Sequence, residues 1–585
     1  MDAEDKNFMD QHAAHAAGSA PSSDPVYETL PQALDAVALT EAGLNFYSGK
    51  GVLIEALSFR RLRSEAIDLA GRLLGAGLTA GDRVGIVADT DGDFPRLFFA
   101  CQYAGLVPVP LPLPMAFGGR DGYRAHIRQM LEQAGAAAAF APGGLRDWLF
   151  DAVDGLGLVL TGSLADLPAG KGQQVTLPTA RPQHLCYLQF SSGSTRFPVG
   201  VAVTQAALMA NATGIIRDGL QVVPGDRCVS WLPFYHDMGL VGFMLAPLIA
   251  GLTVDYFATR DFARRPLLWL DLISRNGGTI SYSPSFGYDL CSRRAAGLAS
   301  LDFDLSRWRV AGIGGDMIRP HVLAEFAERF AAAGFAGSGF VASYGMAEAT
   351  LALTFAPLGR GLEAEAVDRR RLDIEGRAML AADPADAREF VLCGPALPGH
   401  QLEVRGPSGS VLEDHQVGRI HARGPSLMKA YFRDPEASAA ALRGDGWLDT
   451  GDLGYVSQGQ IVITGRAKDL MIVNGRNIWP QDLEWTAESD VEGLRSGDVA
   501  VFSFDEGGEE NVIALVECRL TEPSARAVMG EAVAKALLTR HGVAVEAVMI
   551  KPHTLPTTSS GKLSRTRARD LYRSIRAEEA RAASA

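Results

Sequence analysis

From Tyr27 onward, short apolar runs alternate with stretches in which apolar residues recur every three or four positions. Residues 59–77 keep that helical spacing and end on glycine, which predicts an amphipathic helix. Residues 82–88 predict a strand, followed by a helix through Tyr103 and a second strand at 107–109 before a proline-rich turn. The rhythm returns around Val229, at 279–283 and at 310–313. Strand–helix–strand alternation of this kind predicts a parallel sheet covered on both faces. Residues 357–389 differ in texture: they are charged and proline-broken, and read as an insertion or elaborated loop. Beyond them the chain turns β-rich, with strands expected at 390–393, 401–404, 418–422 and 460–464. A compact αβ unit then closes the sequence.

Composition narrows the class. A chain of 585 residues exceeds what a single core usually supports, so two or more domains are expected. Lys and Arg number 55 against 68 Asp and Glu, a net charge of −13. That balance argues against a nucleic-acid partner held mainly by charge. Six cysteines (Cys101, Cys186, Cys228, Cys291, Cys393, Cys518) lie far apart with no CxxC pair. They are expected to be buried thiols in a reducing compartment, not a disulfide frame or a zinc site. Residues 1–26 read as a flexible tail without an apolar signal core. The uncharged run at 238–254 is shorter than the roughly 20 residues of a spanning helix, and Gly242, Pro247 and Gly251 interrupt it. A cytoplasmic protein with no transmembrane segment is the expectation.

Several segments carry candidate chemistry. Residues 187–201 read as strand, tight loop, strand, with Ser191, Ser192, Ser194 and Thr195 around Gly193 at the tip. Glycine lets backbone N–H groups converge, and hydroxyls add donors that suit phosphate oxygens. The same residues would also make an ordinary polar turn. The segment matches neither the mononucleotide phosphate loop nor the GxGxxG pattern. His236 and Asp237 stand just before the uncharged run, where a histidine is either a loop residue or a catalyst. Glycine-rich turns follow apolar runs at 311–316 and 342–348, and in open parallel sheets ligands bind at the carboxyl ends of strands. Lys562 lies in a Ser/Thr/Gly-rich loop near the end, where a solvated surface lysine is the plain alternative.

Taken together, in this order and spacing from Tyr27 to Tyr572, these segments resemble the adenylate-forming superfamily of acyl-CoA synthetases, luciferases and adenylation domains. Within it the chain is similar to the fatty acyl-AMP ligases. Four features carry that closer resemblance: Arg196 after Ser194 and Thr195; Tyr235-His-Asp-Met-Gly-Leu240; Tyr344-Gly-Met-Ala-Glu-Ala-Thr-Leu351; and the inserted region leading into Cys393-Gly-Pro-Ala-Leu-Pro-Gly399. Gly475-Arg-Asn-Ile-Trp-Pro-Gln-Asp482 also resembles that branch.

The resemblance implies an α/β fold: a large N-terminal domain of stacked mixed and parallel sheets with helices and a β-rich subdomain, and a small mobile α+β C-terminal domain. It places the large domain at 27–465 with an insertion at 357–389, a hinge at 466–469 and the small domain at 470–585. It further implies a two-step reaction. A fatty acid is activated with ATP and Mg²⁺ to an acyl-adenylate, and the acyl group then passes to the phosphopantetheine thiol of a separate acyl carrier protein. Ser191, Ser192, Gly193, Ser194, Thr195 and Arg196 would hold the leaving phosphates, and Glu348 the metal. Gly314, Gly315 and Asp316 would flank adenine, with Tyr344 stacked on it and Ser343, Gly345 and Met346 beside the AMP. Asp452 would bind the ribose with support from Arg466. Lys562 would bridge carboxylate and α-phosphate. Lys468 would be the pivot that later brings Gly475 toward the thiol. Phe234, Met238, Gly239, Ser281, Ser283 and Phe286 would line the acyl tunnel, with His236 at its mouth. Two departures stand out: Val199 occupies a position where many relatives carry lysine, and Asp316 replaces a longer glutamate. An acyl-CoA ligase and a silenced acyl-adenylate-binding protein remain the alternatives.

Overall fold

The computed structural model describes residues 27–114, 119–168, 176–190, 199–298, 302–473, 475–506, 509–558 and 562–584. Its largest sheet is assembled from apolar runs too short for helices. They are Gly43–Tyr47 (β1), Leu53–Ser58 (β2), Arg227–Ser230 (β3), Thr253–Phe257 (β4), Ile280–Ser283 (β5), Val310–Ile313 (β6), Phe340–Gly345 (β7) and Ala352–Phe355 (β8). They lie in the order β8-β7-β6-β5-β3-β4-β1-β2. The pairs at the two edges, β7–β8 and β1–β2, are antiparallel, and those between are parallel. Strands β5 and β6 are buried at every residue, as strands covered on both faces must be. Helices Leu267–Asn276, Ser285–Ala295 and Pro320–Phe330 supply Trp269, Tyr288 and Phe326 to one aromatic cluster with Trp308.

A second, parallel sheet orders Val107–Leu111, Arg83–Val87, Ala136–Phe140 and Leu160–Gly162. The helix expected over 59–77 runs Phe59–Gly75, and the Ser58 hydroxyl caps it by accepting the Arg61 N–H at 3.2 Å. The β-rich stretch forms an antiparallel sheet of Gln401–Arg405, Gly418–Arg423, Leu448–Ser457 and Gln460–Arg466. The closing unit sets Val499–Glu506, Glu509–Glu517 and Glu546–Ile550 against helices Pro480–Asp490, Pro523–His541 and Arg565–Ser584, around apolar clusters of its own. All six cysteines are buried and unpaired. Among the described residues no helix is long and apolar enough to cross a membrane.

Residues 357–389 are not the loop their charge suggests. Ala364–Asp368 and Ala387–Val391 pair antiparallel, and helix Arg369–Glu375 lies between them. Asp368 caps that helix by accepting the Arg371 N–H at 2.9 Å, so the acidic residue that looked like loop texture is a start signal. Val367, Leu372 and Phe390 pack with Tyr455, Val462 and Trp479. The Arg388 guanidinium lies 4.2 Å from the Phe390 ring and 4.8 Å from that of Trp479, and pairs with Asp482 at 2.9 Å. This segment therefore joins the β-rich sheet to the closing unit.

Candidate active site

Residues from the large sheet, the β-rich sheet and the closing unit line one cavity of about 1380 Å³. Its floor follows from topology. Strands β6 and β7 are parallel neighbours, so the turns at their carboxyl ends lie side by side. The turn after β6 carries Gly314, Gly315 and Asp316, the end of β7 carries Ser343, Tyr344 and Gly345 with Met346 just beyond it, and all seven line the cavity. Asp452 and Arg466 are directly opposed across an antiparallel pair, with Arg466 Nε 3.6 Å from Asp452 Oδ1. The Tyr344 hydroxyl donates to Asp452 Oδ2 at 2.8 Å. Burial raises the Asp452 carboxyl above its ordinary range, while Arg466 and the Tyr344 hydrogen bond oppose the shift. An Asp so placed has one oxygen engaged and lone pairs left for further donors.

Glu348 is buried on the turn after β7. Its Oε1 accepts the Tyr431 hydroxyl at 2.8 Å. Its carbonyl accepts the Met428 N–H at 2.7 Å, which docks the strand Ala430–Tyr431 beside Gly200–Thr204. Burial pushes the carboxyl upward, against the Tyr431 hydrogen bond. His236 Nδ1 lies 2.8 Å from Asp237 Oδ1. Burial pushes the Asp237 carboxyl up, but His236, Lys562 and the Met238 N–H outweigh it and hold Asp237 below its ordinary value.

Lys562 comes from the closing unit. Thr557 and Leu563 pair across its segment, and the Thr558 N–H donates to the Lys562 carbonyl at 2.7 Å. The side chain lines the cavity. Burial lowers its pKa, while Asp316, Asp237 and Asp452 favour the charged form. The lysine is thus among acidic groups, not on a solvated surface. Lys468 also lines the cavity, and burial depresses its pKa to about 8. Gly475 sits at an exposed turn between Met471–Val473 and Arg476–Ile478, and does not line the cavity. Ser191, Ser192, Gly193, Ser194, Thr195 and Arg196 lie outside the described residues. The strands flanking them, Leu185–Phe190 and Gly200–Thr204, pair antiparallel, and Phe190 lines the cavity.

The apolar arm departs in part from the sequence reading. Met238 and Phe286 line the cavity; Phe234, Gly239, Ser281 and Ser283 do not. Side chains alternate along a strand, so Ser281 and Ser283 point away from the face that Tyr282 shares with the cavity. Ser281 Oγ instead accepts from Trp269 Nε1 at 2.8 Å, and Ser283 Oγ donates to the Pro284 carbonyl at 2.8 Å. Phe234 stacks on Phe94 with ring centres 5.3 Å apart, within the core. A β-carbon on Gly239 would lie 2.1 Å from the Pro233 carbonyl oxygen, so this glycine serves a close backbone approach. Gly239→Ala is expected to cost about 1–3 kcal/mol, read as a lowered midpoint of thermal unfolding.

The apolar part of the lining includes Met238, Gly242, Phe243, Tyr282, Leu351 and Phe355. The uncharged run at 238–254 thus contributes only its first turns. Asp237–Leu240 widens into a π-helical turn at Val241–Leu245, and the run ends as the buried strand β4. Tyr282 was legible in principle, since it alternates with two serines. Its ring lies over Gly312, where a β-carbon would come within 2.0 Å of it. Tyr431 carried no local signal at all.

The donor set suits a nucleotide and a hard cation. Among the described residues no three His, Cys, Asp or Glu side chains converge as a metal cage. One buried carboxylate, Glu348, matches Mg²⁺, which binds through one or two carboxylates together with phosphate oxygens and water. Asp452 with Arg466 matches a ribose, and the two strand-end turns match a flat base between backbone and ring.

Comparisons with known proteins agree with this geometry. The model of the family described as "AMP-binding enzyme" matches residues 33–432. A Caulobacter vibrioides protein provisionally named an acyl-CoA synthetase is 55% identical over 547 residues, 93% of this chain and 95% of its own. A medium-chain fatty acid–acyl-carrier-protein ligase of Teredinibacter turnerae is 33% identical over 66% of this chain and 63% of its own. A solved fatty acyl-adenylate ligase, from work on the E. coli and L. pneumophila enzymes, superposes with a TM-score of 0.90 at 43% identity. That match covers 96% of this chain and 100% of the solved one. The chain therefore belongs to the AMP-binding enzyme family, the adenylate-forming ligases, and within that family resembles the fatty acyl-adenylate ligases.

Proposed function

We propose that this protein activates a fatty acid as its acyl-adenylate and then delivers the acyl group to the phosphopantetheine thiol of a separate carrier protein. The observation that carries the reading is a single cavity whose lining brings Lys562, Asp452, Arg466 and Glu348 together with the apolar side chains of Met238, Phe243, Tyr282, Leu351 and Phe355. In the first step a carboxylate oxygen bonds to the α-phosphorus of ATP, the α–β bridging bond breaks, and pyrophosphate leaves. Both reactants are anions, so the barrier falls only where positive charge and donors gather as the new bond forms. Lys562 supplies a point charge with three donors at the junction of the two substrates. Asp452 and Arg466 orient the ribose, and the apolar arm holds the chain, each buried methylene contributing roughly 0.8 kcal/mol. Glu348 would hold Mg²⁺, which neutralises developing phosphate charge. In the second step the thiol sulfur attacks the acyl carbon and AMP leaves. Lys562 would then have withdrawn and Gly475, outside the cavity in this arrangement, would have turned inward about Lys468.

The contacts of the insertion support a carrier thiol over free coenzyme A. Arg388 binds Asp482 at 2.9 Å and Arg369 meets His541 at 3.4 Å, so residues of this segment hold the closing unit. The carrier-protein ligase of Teredinibacter turnerae points the same way. The provisional name of the Caulobacter vibrioides relative favours a second reading, an acyl-CoA ligase. Acyl transfer from a preformed adenylate separates them. Transfer to holo-carrier protein with little acyl-CoA is expected, and rapid acyl-CoA formation would sink the carrier reading.

A further inference from the structure

One helix of the closing unit holds both ends of a mechanical link. Pro480–Asp490 carries Glu484 and Trp485 side by side and Glu488 one turn further on. Glu484 Oε1 accepts from Arg565 Nε at 2.8 Å, and Arg565 Nη1 donates to Asp469 Oδ2 at 3.0 Å. Arg565 stands three residues after Lys562, so these bonds set where the lysine's segment lies relative to the helix.

The other end reaches the large domain. Arg319 follows the turn that carries Gly314, Gly315 and Asp316, and its N–H donates to Ser285 Oγ at 3.2 Å. Its Nη1 donates to Ser496 Oγ at 2.8 Å and to Glu488 Oε2 at 3.3 Å, and its guanidinium lies 4.8 Å from the Trp485 ring centre. Glu488 is held in turn, since its Oε1 accepts the Gly497 N–H at 2.6 Å. The side chain of Glu488 is only 6% exposed and that of Arg319 20%. An ion pair this sheltered is costly to leave half-made, unlike a surface pair.

From this continuity we infer that Arg319 is a positioning residue for the first half-reaction: through Trp485 and Glu488 it fixes the helix that, through Glu484 and Arg565, sets Lys562 in the cavity. It rests on the adenylation reading above. Arg319 joins two bodies that must separate when the closing unit turns about Lys468, so its contacts belong to one arrangement only. A displacement of about 1 Å at a reacting group can cost about a hundredfold in rate. The residue need not touch a substrate to matter at that scale.

The test compares half-reactions in the full-length protein. ATP–pyrophosphate exchange with a fatty acid reads the first step, and transfer from supplied acyl-adenylate to holo-carrier protein reads the second. Arg319→Ala is expected to slow exchange about 10- to 100-fold and to leave transfer faster or far less affected, with Arg319→Lys recovering part of the exchange. Glu488→Ala should repeat the pattern. The double variant should be no worse than the more damaging single one, because both remove the same contact. Equal loss of both half-reactions, or full exchange in either single variant, overturns the inference. Absence of exchange in the unaltered protein with every fatty acid tried overturns the adenylation reading first and this inference with it.

Discussion

Lys562→Ala is expected to abolish adenylate formation, with a loss of about a thousandfold or more, and to leave transfer from supplied acyl-adenylate largely intact. The basis is the placement of this ammonium in the same cavity as Asp316, Asp237 and Asp452, whose charges favour its protonated form. A cation there offsets the repulsion between an incoming carboxylate and the α-phosphate, and no other described lysine lies in that cavity except Lys468 at the proposed pivot. The charged form is the useful one. Because burial lowers the Lys562 pKa, exchange should fall with rising pH below the ordinary lysine value of 10.5. The sign follows directly: above its pKa the side chain is neutral and the attraction is gone. Transfer, for which Lys562 is proposed to withdraw, should lack this alkaline limb. Exchange and acyl transfer measured separately across pH check both statements, and equal loss of the two activities in the variant would sink the two-arrangement assignment.

Glu348→Gln is expected to lower the rate of adenylate formation about a hundredfold and to raise the Mg²⁺ concentration needed for half-maximal rate. The carboxylate is buried, with one oxygen held by Tyr431 at 2.8 Å, so its geometry is set before any substrate arrives. Gln preserves size and the hydrogen bond from Tyr431 but removes the charge that a hard cation requires. Mg²⁺ titrations of exchange with both proteins provide the measurement. A variant with an unchanged Mg²⁺ requirement would move the metal elsewhere in the cavity.

Much of the large sheet was legible because its strands are short, apolar and separated by helical periods. The segments at 279–283 and 310–313 are strands for the reason their composition suggests. Residues 357–389 were not legible, because arginine-rich segments form a strand pair and a helix only when a neighbour covers their apolar face. Here Tyr455, Val462 and Trp479 supply that cover from far along the chain. Within the site, motif residues such as Asp452, Glu348 and Lys562 could be named one by one, but the sequence carried no sign that Tyr431 would grip Glu348. The tunnel shows the limit most clearly. Tyr282 and the two serines around it are adjacent in sequence, and only the orientation of β5 within the sheet decides which of them faces the cavity.

What the sequence by itself determined is the family, the order of the elements and the identity of the chemical groups, because local spacing and residue type are properties of the chain alone. What only the tertiary structure decided is which groups meet. The Tyr431–Glu348 contact, the apolar lining of the cavity and the Arg319–Glu488 link join distant segments, and the Asp452–Arg466 register is set by how one hairpin pairs. Their existence depends on strand pairing and domain docking, and these are fixed by burial summed over the whole core, not by any one stretch of residues.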